Sequence, residues 1–392
     1  MHNMRIGLIA LIVTSFTLVA APSVHAQVAG SDASSSVALL EELTNADAPS
    51  GFEGPVREIL RTRWQGLLQN LHTDGMGNLL GELPGGSEQP KVLLMAHMDE
   101  VGFLVRFIDE NGFVYFNPVG GSYDQSVLTQ RMTILTPEGP VVGYTGFKSG
   151  HAFQGNERDE MVGLRDMFID VGASSRREAV EELGIRPGLP IAYRTRFEAL
   201  NNTGRYLAKA WDARVGLAAI TEVIQSLQSS SHPNTVQVAA TVQEEIGMRG
   251  AAVVYETFEP DIVINIEIGI ASDFPLKVSP KEAQGTLGEG PSIFVFDGSV
   301  IPNQNFLDWI IHQAEAQNIP YQFESVSGYG EDASVLQRAG RGVPVINLGI
   351  TTRYGHSQSG VIDIADYHRT VALILSLVRG LDQATVADIT RF

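Results

Sequence analysis

Two histidines and several acids in this 392-residue chain stand where they could do chemistry. His97 and Asp99 follow the apolar run Val92–Met95, and Glu244 and Glu245 follow Val236–Val242. Glu267 closes the run Asp261–Ile268, with Asp273 in the loop beyond it. His356 follows the run that ends at Ile350, and Asp212 stands at the start of a helical pattern just before Gly216. Short apolar runs of this kind read as buried strands. Ligands of open α/β sheets bind outside the C-terminal ends of such strands, which is where these polar residues fall.

Each residue also has a plainer reading. A histidine at a strand end is commonly a hydrogen-bonded structural residue, Asp212 could be a helix N-cap, and Glu244–Glu245 could be a solvated pair. Their recurrence at one end of one sheet favours a shared site. The chain has no cysteine, which excludes thiol catalysis and Cys-ligated zinc. A metal would have to be held by His, Asp and Glu, a set that suits zinc, with cobalt or manganese as alternatives. Residues two apart in an extended chain point the same way, so Asp99 can reach the His97 imidazole and fix its tautomer. Adjacent residues diverge, so one of Glu244 and Glu245 can ligate while the other faces a water as a general base.

The elements that would position these groups are legible in outline. After Trp211, helical and strand patterns alternate: helices at 215–227, 306–316 and 366–381, strands at 236–242, 261–268, 293–296 and 343–350. This predicts an α/β domain, a mainly parallel sheet with helices on both faces. From about Val101 to Leu200 the character changes to short β-rich runs punctuated by Gly, Pro and Asn, with a helix at 175–183, as for a small β domain, expected over 104–206, inserted into the first. The catalytic α/β domain is then expected over 38–103 and 207–392.

At the N-terminus, Arg5, the apolar stretch Ile6–Ala21 and the small-residue site Val24-His25-Ala26 read as a signal peptide over 1–26, and 27–37 as a disordered leader. The expected location is periplasmic or secreted, with no membrane association after cleavage. With 27 basic residues against 45 acidic ones, the net charge is -18. That excess argues against nucleic acid or an anionic membrane as partner, since both need clustered Lys and Arg.

The motifs resemble those of the M42 aminopeptidases, the glutamyl and tetrahedral (TET) aminopeptidase relatives. Ala96-His97-Met98-Asp99-Glu100-Val101-Gly102-Phe103 resembles the family's first metal motif, and Trp211-Asp212-Ala213-Arg214-Val215-Gly216 its Asp-Asp-Arg-x-Gly segment. Thr241–Gly250 resembles the Glu-Glu motif, and Arg353-Tyr354-Gly355-His356-Ser357 the last ligand motif. Supporting matches are Ser50–Glu53, Asp74–Asn78, Ile169–Ala173 and Gly330–Ala333, so the likeness runs in order from about 38 to 382.

The resemblance implies a zinc-aminopeptidase type of fold and two divalent metal ions per chain. One would be held by His97, Asp212 and Glu267, the other by Asp212, Glu245 and His356. Glu244 would be the general base toward a metal-bridging water, Asp99 would orient His97, and short peptides would be the substrates. It also implies homo-oligomers, from dimers to dodecamers, supported by the inserted domain. Asp332 is expected near the pocket. The chain departs from the family at Glu267, where many relatives have Asp, at Ala213, which replaces the second acid, and at Glu331, which replaces the Thr of Gly-Thr-Asp-Ala. Two competing readings are a catalytically silent peptide-binding or assembly protein on the same fold, and a hydrolase of the M42-like type that has been labelled endoglucanase.

Overall fold

A computed structural model describes residues 33–275 and 282–391. The expected signal peptide, 1–26, and leader residues 27–32 lie outside the described residues. The helix Ala33–Asn45 starts inside the stretch read as a disordered leader. It forms there because Ser36, Leu39, Leu40 and Leu43 lie on one helical face and are buried. Among the described residues, no single helix is long and apolar enough to cross a membrane.

The body of the molecule is an 11-stranded sheet. Its centre is four parallel strands, laid side by side as Thr235–Thr241, Lys91–His97, Ile262–Ile270 and Val345–Arg353. Outside them the pairing turns antiparallel, with Leu79–Leu83 against Thr235–Thr241 on one side and Gly360–Asp363 against Val345–Arg353 on the other. The sheet is therefore mixed rather than mainly parallel. Residues 354–359 make a short return from Val345–Arg353 to Gly360–Asp363, long enough for hairpin-like pairing but not for a crossover, while Leu79–Leu83 meets Thr235–Thr241 from far along the chain.

Alternate residues of the central strands serve opposite faces. Val92, Leu94, Ala96, Ile264 and Ile266 join the larger core, which is covered by the helices Trp211–Leu227 and Ile364–Gly380, among others. Leu93, Met95, Ala239, Val263 and Val345 join the smaller core under the helices Ala251–Phe258 and Ala333–Gln337. Gly216 lets the helix Trp211–Leu227 lie close on the sheet: a Cβ there would sit 2.5 Å from the Ile266 carbonyl oxygen. This close approach places the first turn of that helix beside the end of the strand Ile262–Ile270.

Between the strand Lys91–His97 and that helix the chain makes a closed six-stranded barrel. Its strands run from Gly102–Ile108 to Pro190–Tyr193, around Phe103, Phe116, Ile134 and Ile191. The strand Glu198–Ala199 lies within 104–206 and Arg205–Ala208 begins within it, yet both pair toward Gly360–Asp363 in the large sheet. The helix expected at 175–183 is present over residues 176–182, its last five, Glu178–Glu182, more loosely wound, and it ends before Gly184, whose φ is +68°.

Glu324, on the strand Gln322–Ser325, is fully buried and accepts the Ile270 amide at 2.6 Å. Burial pushes its carboxyl from 4.5 up to about 7. A carboxyl raised in the folded state stabilises fully below its unfolded value of 4.5, and the benefit is lost as pH rises through about 7. A shift of this size corresponds to about 3 kcal/mol across that window. Glu324→Gln, which keeps the acceptor, is expected to remove most of this slope and to be the more stable form at pH 8. Denaturant unfolding at pH 5 and pH 8 checks this; identical slopes for both proteins would refute it.

Candidate metal centre

Five separate segments deliver side chains to one point above the C-terminal ends of the parallel strands. His97 ends its strand, Glu267 stands near the end of the next, and Asp212 lies in the first turn of the helix Trp211–Leu227. Glu244–Glu245 and His356 come from the loops after Thr241 and Arg353. Asp212 divides its two oxygens: Oδ1 lies 3.1 Å from His97 Nε2, and Oδ2 lies 3.0 Å from His356 Nε2. Glu267 Oε2 flanks the first histidine at 3.6 Å, and Glu245 Oε2 the second at 3.5 Å. Asp212 therefore spends its carboxylate on the site, not on capping its helix. Asp273 stays apart, in an ion pair with Arg353.

The loops that carry these groups are held by the backbone around them. Gln243 and His356 have φ of +55° and +53°, strained values for residues other than glycine. Asp99, fully buried, gathers the amides of Glu244 and Glu245 at 3.1 and 3.2 Å and the Ser50 hydroxyl at 2.6 Å. Its contact with His97 differs from the expected one. The imidazole Nδ1 sits 3.0 Å from the Asp99 backbone carbonyl and 3.5 Å from its carboxylate. Asp99 thus fixes the Glu244–Glu245 turn as much as the histidine.

Three supports were not read from the sequence. Glu53 accepts the amides of Gly51 and Gln243. Asn78, whose own position Asp74 sets, accepts the Val242 amide and donates to the Gly250 carbonyl. Glu100, Lys209 and Arg214 form a buried ion cluster, with Lys209 Nζ 2.6 Å from Glu100 and Arg214 Nη2 3.1 Å from it. The sequence signal for that cluster was a charged residue at each corner of the site motifs, at 100, 209 and 214.

Electrostatics sets the character of the group. Burial alone would lower His97, but Glu267, Asp212 and Asp99 outweigh it and hold the imidazole well above its usual range. Burial likewise works against His356, yet Glu245 and Asp212 raise it to about 10. Burial would raise Asp212, but the two histidines pull it far below the carboxylate range. Burial pushes Glu245 to about 8 and Glu267 to about 7. Burial also raises Glu244 well above the usual range; His97 opposes this, and Asp332, Glu267 and Glu245 reinforce it. Asp332 sits fully buried behind this group, accepting the Thr241 hydroxyl at 2.5 Å.

This donor set fits divalent cations. Ligand atoms of His97, Asp212 and Glu245 lie within 4.8 Å of one another. Glu245 Oε1 is buried with no hydrogen-bond partner, and a buried orphan oxygen of that kind is costly unless something charged meets it. Beside the cluster lies a cavity of about 270 Å³, lined by Asp212, Glu244, Glu245, Glu267, Tyr329 and Glu331, with Gly121 of the barrel at its rim.

An α/β sheet that gathers carboxylates and imidazoles at its strand ends, beside a small cavity, has the arrangement of a metal-dependent hydrolase. A family model described as M42 glutamyl aminopeptidase matches residues 77–373, and the chain belongs to this family of hydrolases acting on peptide bonds. It is 32% identical to the glutamyl aminopeptidase of Lactococcus lactis over 90% of this chain and 98% of that one. The structure is similar to the TET aminopeptidase of the archaeon Thaumarchaeota archaeon SCGC AB-539-E09, with TM-score 0.87 and 36% identity over 91% and 100% of the two chains. It also resembles the Pyrococcus horikoshii TET1 peptidase, with TM-score 0.79 and 29% identity over 88% and 100%. That protein assembles into a tetrahedron or a large octahedral shell.

Metal-free, Glu245 and Glu267 keep protons up to about 8 and 7, and His356 keeps its extra proton up to about 10. Those protons must leave before the groups ligate, so cation affinity rises with pH and binding releases protons. Zinc affinity is expected to be at least about tenfold higher at pH 8.5 than at pH 6. Calorimetry in buffers of differing ionisation enthalpy checks this; binding with no proton release would contradict it.

Proposed function

We propose that the chain is an exported aminopeptidase holding two divalent cations, zinc by preference and cobalt or manganese as alternatives, that removes N-terminal residues from short peptides. The carrying observation is the division of Asp212 between His97 and His356, each histidine with its own flanking glutamate. On this reading His97, Asp212 and Glu267 hold one cation, and Asp212, Glu245 and His356 the other. Such cations supply an acidified water and polarise the scissile carbonyl.

The chain's own residues do the rest. Glu244, adjacent to a ligand but not among the ligands, lines the cavity and takes the water's proton on its carboxylate. Its raised pKa lets it hold that proton and deliver it to the leaving amine nitrogen. Asp99 keeps Glu244 in place through the backbone amide. A cavity of about 270 Å³ lies below the roughly 300–1,000 Å³ of common ligand pockets. It suits one terminal residue better than an internal stretch of chain or a polysaccharide.

The Glu244→Gln variant tests the base. It keeps the shape of the side chain but cannot accept the proton, and kcat on a leucyl anilide is expected to fall about 10²- to 10⁴-fold with two cations per chain still bound. Unchanged kcat would reject Glu244 as the base. Two bound cations with no turnover in the wild type would favour the silent assembly protein.

Export is supported by the apolar stretch Ile6–Ala21 and the site Val24-His25-Ala26. Self-association is supported by apolar residues the barrel leaves exposed, Tyr123, Val142, Tyr144 and Met161, and by the shells formed by the P. horikoshii relative. The exported protein is expected to begin at Gln27 and to sediment as a multiple of its chain mass. A full-length N-terminus, or a monomer alone, would count against the respective point.

A further inference from the structure

We propose that Glu331 receives the N-terminal ammonium group of the substrate. The inference rests on the aminopeptidase reading above and adds to it a binding residue at a position where this chain departs from the family motif. Glu331 stands where the M42-like segment Gly-Thr-Asp-Ala has threonine, so its carboxylate is an addition to the site. It is 1% exposed, yet it lines the cavity beside Glu244, Glu245 and Glu267.

Its two oxygens are unequal. Oε2 receives the Asn265 side-chain amide at 3.4 Å, while Oε1 is buried without a partner. The same amide nitrogen also donates to Glu267 Oε1 at 3.3 Å. One amide nitrogen therefore ties Glu331 to the ligand cluster, and Asn347 holds that asparagine from behind at 3.2 Å. A carboxylate fixed this firmly with one free oxygen is a site waiting for a donor.

The donor's chemistry follows from what surrounds it. The side chains lining the cavity include Asp212, Glu244, Glu245, Glu267 and Glu331, and no Lys or Arg. The Tyr329 hydroxyl and the His356 imidazole also line the cavity, but the five acids outnumber them, so a cation meets its complement there. In a peptide cut at its first bond, the amino nitrogen is two bonds from the scissile carbon, about 2.5 Å away. Its acceptor must therefore adjoin the cluster that faces that carbon. Glu331 does so through Asn265, while Asp332, next in sequence, is turned to Thr241 and does not line the cavity. A basic side chain of the terminal residue would carry its charge several bonds farther out. The ammonium thus seats on Glu331 Oε1 and sets the scissile carbonyl beside Glu244, which makes a free N-terminus a requirement.

Two hydroxamate inhibitors that differ only in the amine test this: leucine hydroxamate, and isocaproyl hydroxamate, which lacks it. Each is titrated against zinc-loaded wild type, Glu331→Gln and Glu331→Thr, the last restoring the family's residue. Leucine hydroxamate is expected to bind the variants roughly 10- to 100-fold more weakly, the loss of one buried charge-assisted hydrogen bond. Isocaproyl hydroxamate is expected to bind all three within about twofold, with metal content unchanged. Equal weakening of both inhibitors would overturn the proposal, since it would show that Glu331 only props up Glu267. Unchanged binding of both would also overturn it. So would a loss seen for lysyl but not leucyl anilides, which would place Glu331 at the side chain. Failure of the wild type to cleave any aminoacyl anilide would instead strike the aminopeptidase reading, and inhibitor binding would still decide the role of Glu331.

Discussion

One aspartate pulled from two sides organises this protein. Asp212 is buried, and its oxygens meet two histidines at or just beyond the ends of the strands that flank the strand bearing Glu267. Around them stand Glu244, Glu245 and Glu267, all short of water and all raised by burial. Negative charge at this density is unfavourable in a folded chain unless cations meet it. In the metal-free protein the two histidines carry that burden as imidazolium, and they stand where metal ions would relieve them. The site is thus a stored imbalance, and its ligand class follows from the sign of the imbalance.

Holding the imbalance requires rigid backbone, and the chain recruits it from distant segments. Ser50 and Glu53 come from the N-terminal region, Asn78 from a hairpin, and Glu100, Lys209 and Arg214 from the two junctions with the barrel. Glu53 and Asn78 hold the amides of Gln243 and Val242 beside Glu244, Arg214 holds the Met98 carbonyl between His97 and Asp99, and Ser50 donates to the Asp99 carboxylate. Gly216 contributes by what it lacks, since a side chain there would push the helix bearing Asp212 off the strand bearing Glu267.

Much of this was legible in the sequence. The parallel strands announced themselves as short, mostly apolar runs, and the polar residues at their ends pointed to a common site. The antiparallel flanks were harder, because pairing direction depends on whether a connection doubles back, and a run such as Leu79–Leu83 has the same composition either way. The helical spacing of Leu39–Leu43 was legible, but the start of that helix was placed too late because its serines resemble a linker. At the site, residue types identified His97, Asp212, Glu245, Glu267 and His356 as ligand candidates. They could not show that Asp99 would spend its carboxylate mainly on two amides, because those bonds depend on a strained backbone at Gln243 that no residue pattern marks. Nor could they show that Glu331 would be buried with a free oxygen, since that depends on Asn265 and Asn347 from neighbouring strands.

The placement of the barrel has a consequence for synthesis. Its strands lie between Gly102 and Tyr193 and pair with one another, so a nascent chain can complete it soon after that stretch leaves the ribosome. The strand ending at His97 emerges earlier but must wait, because its partners begin at Thr235 and Ile262. Until those arrive, Leu93, Met95 and their neighbours have no sheet to join. The finished barrel then stands beside an unpaired hydrophobic strand for much of translation, a span in which a chaperone would find its clearest handle.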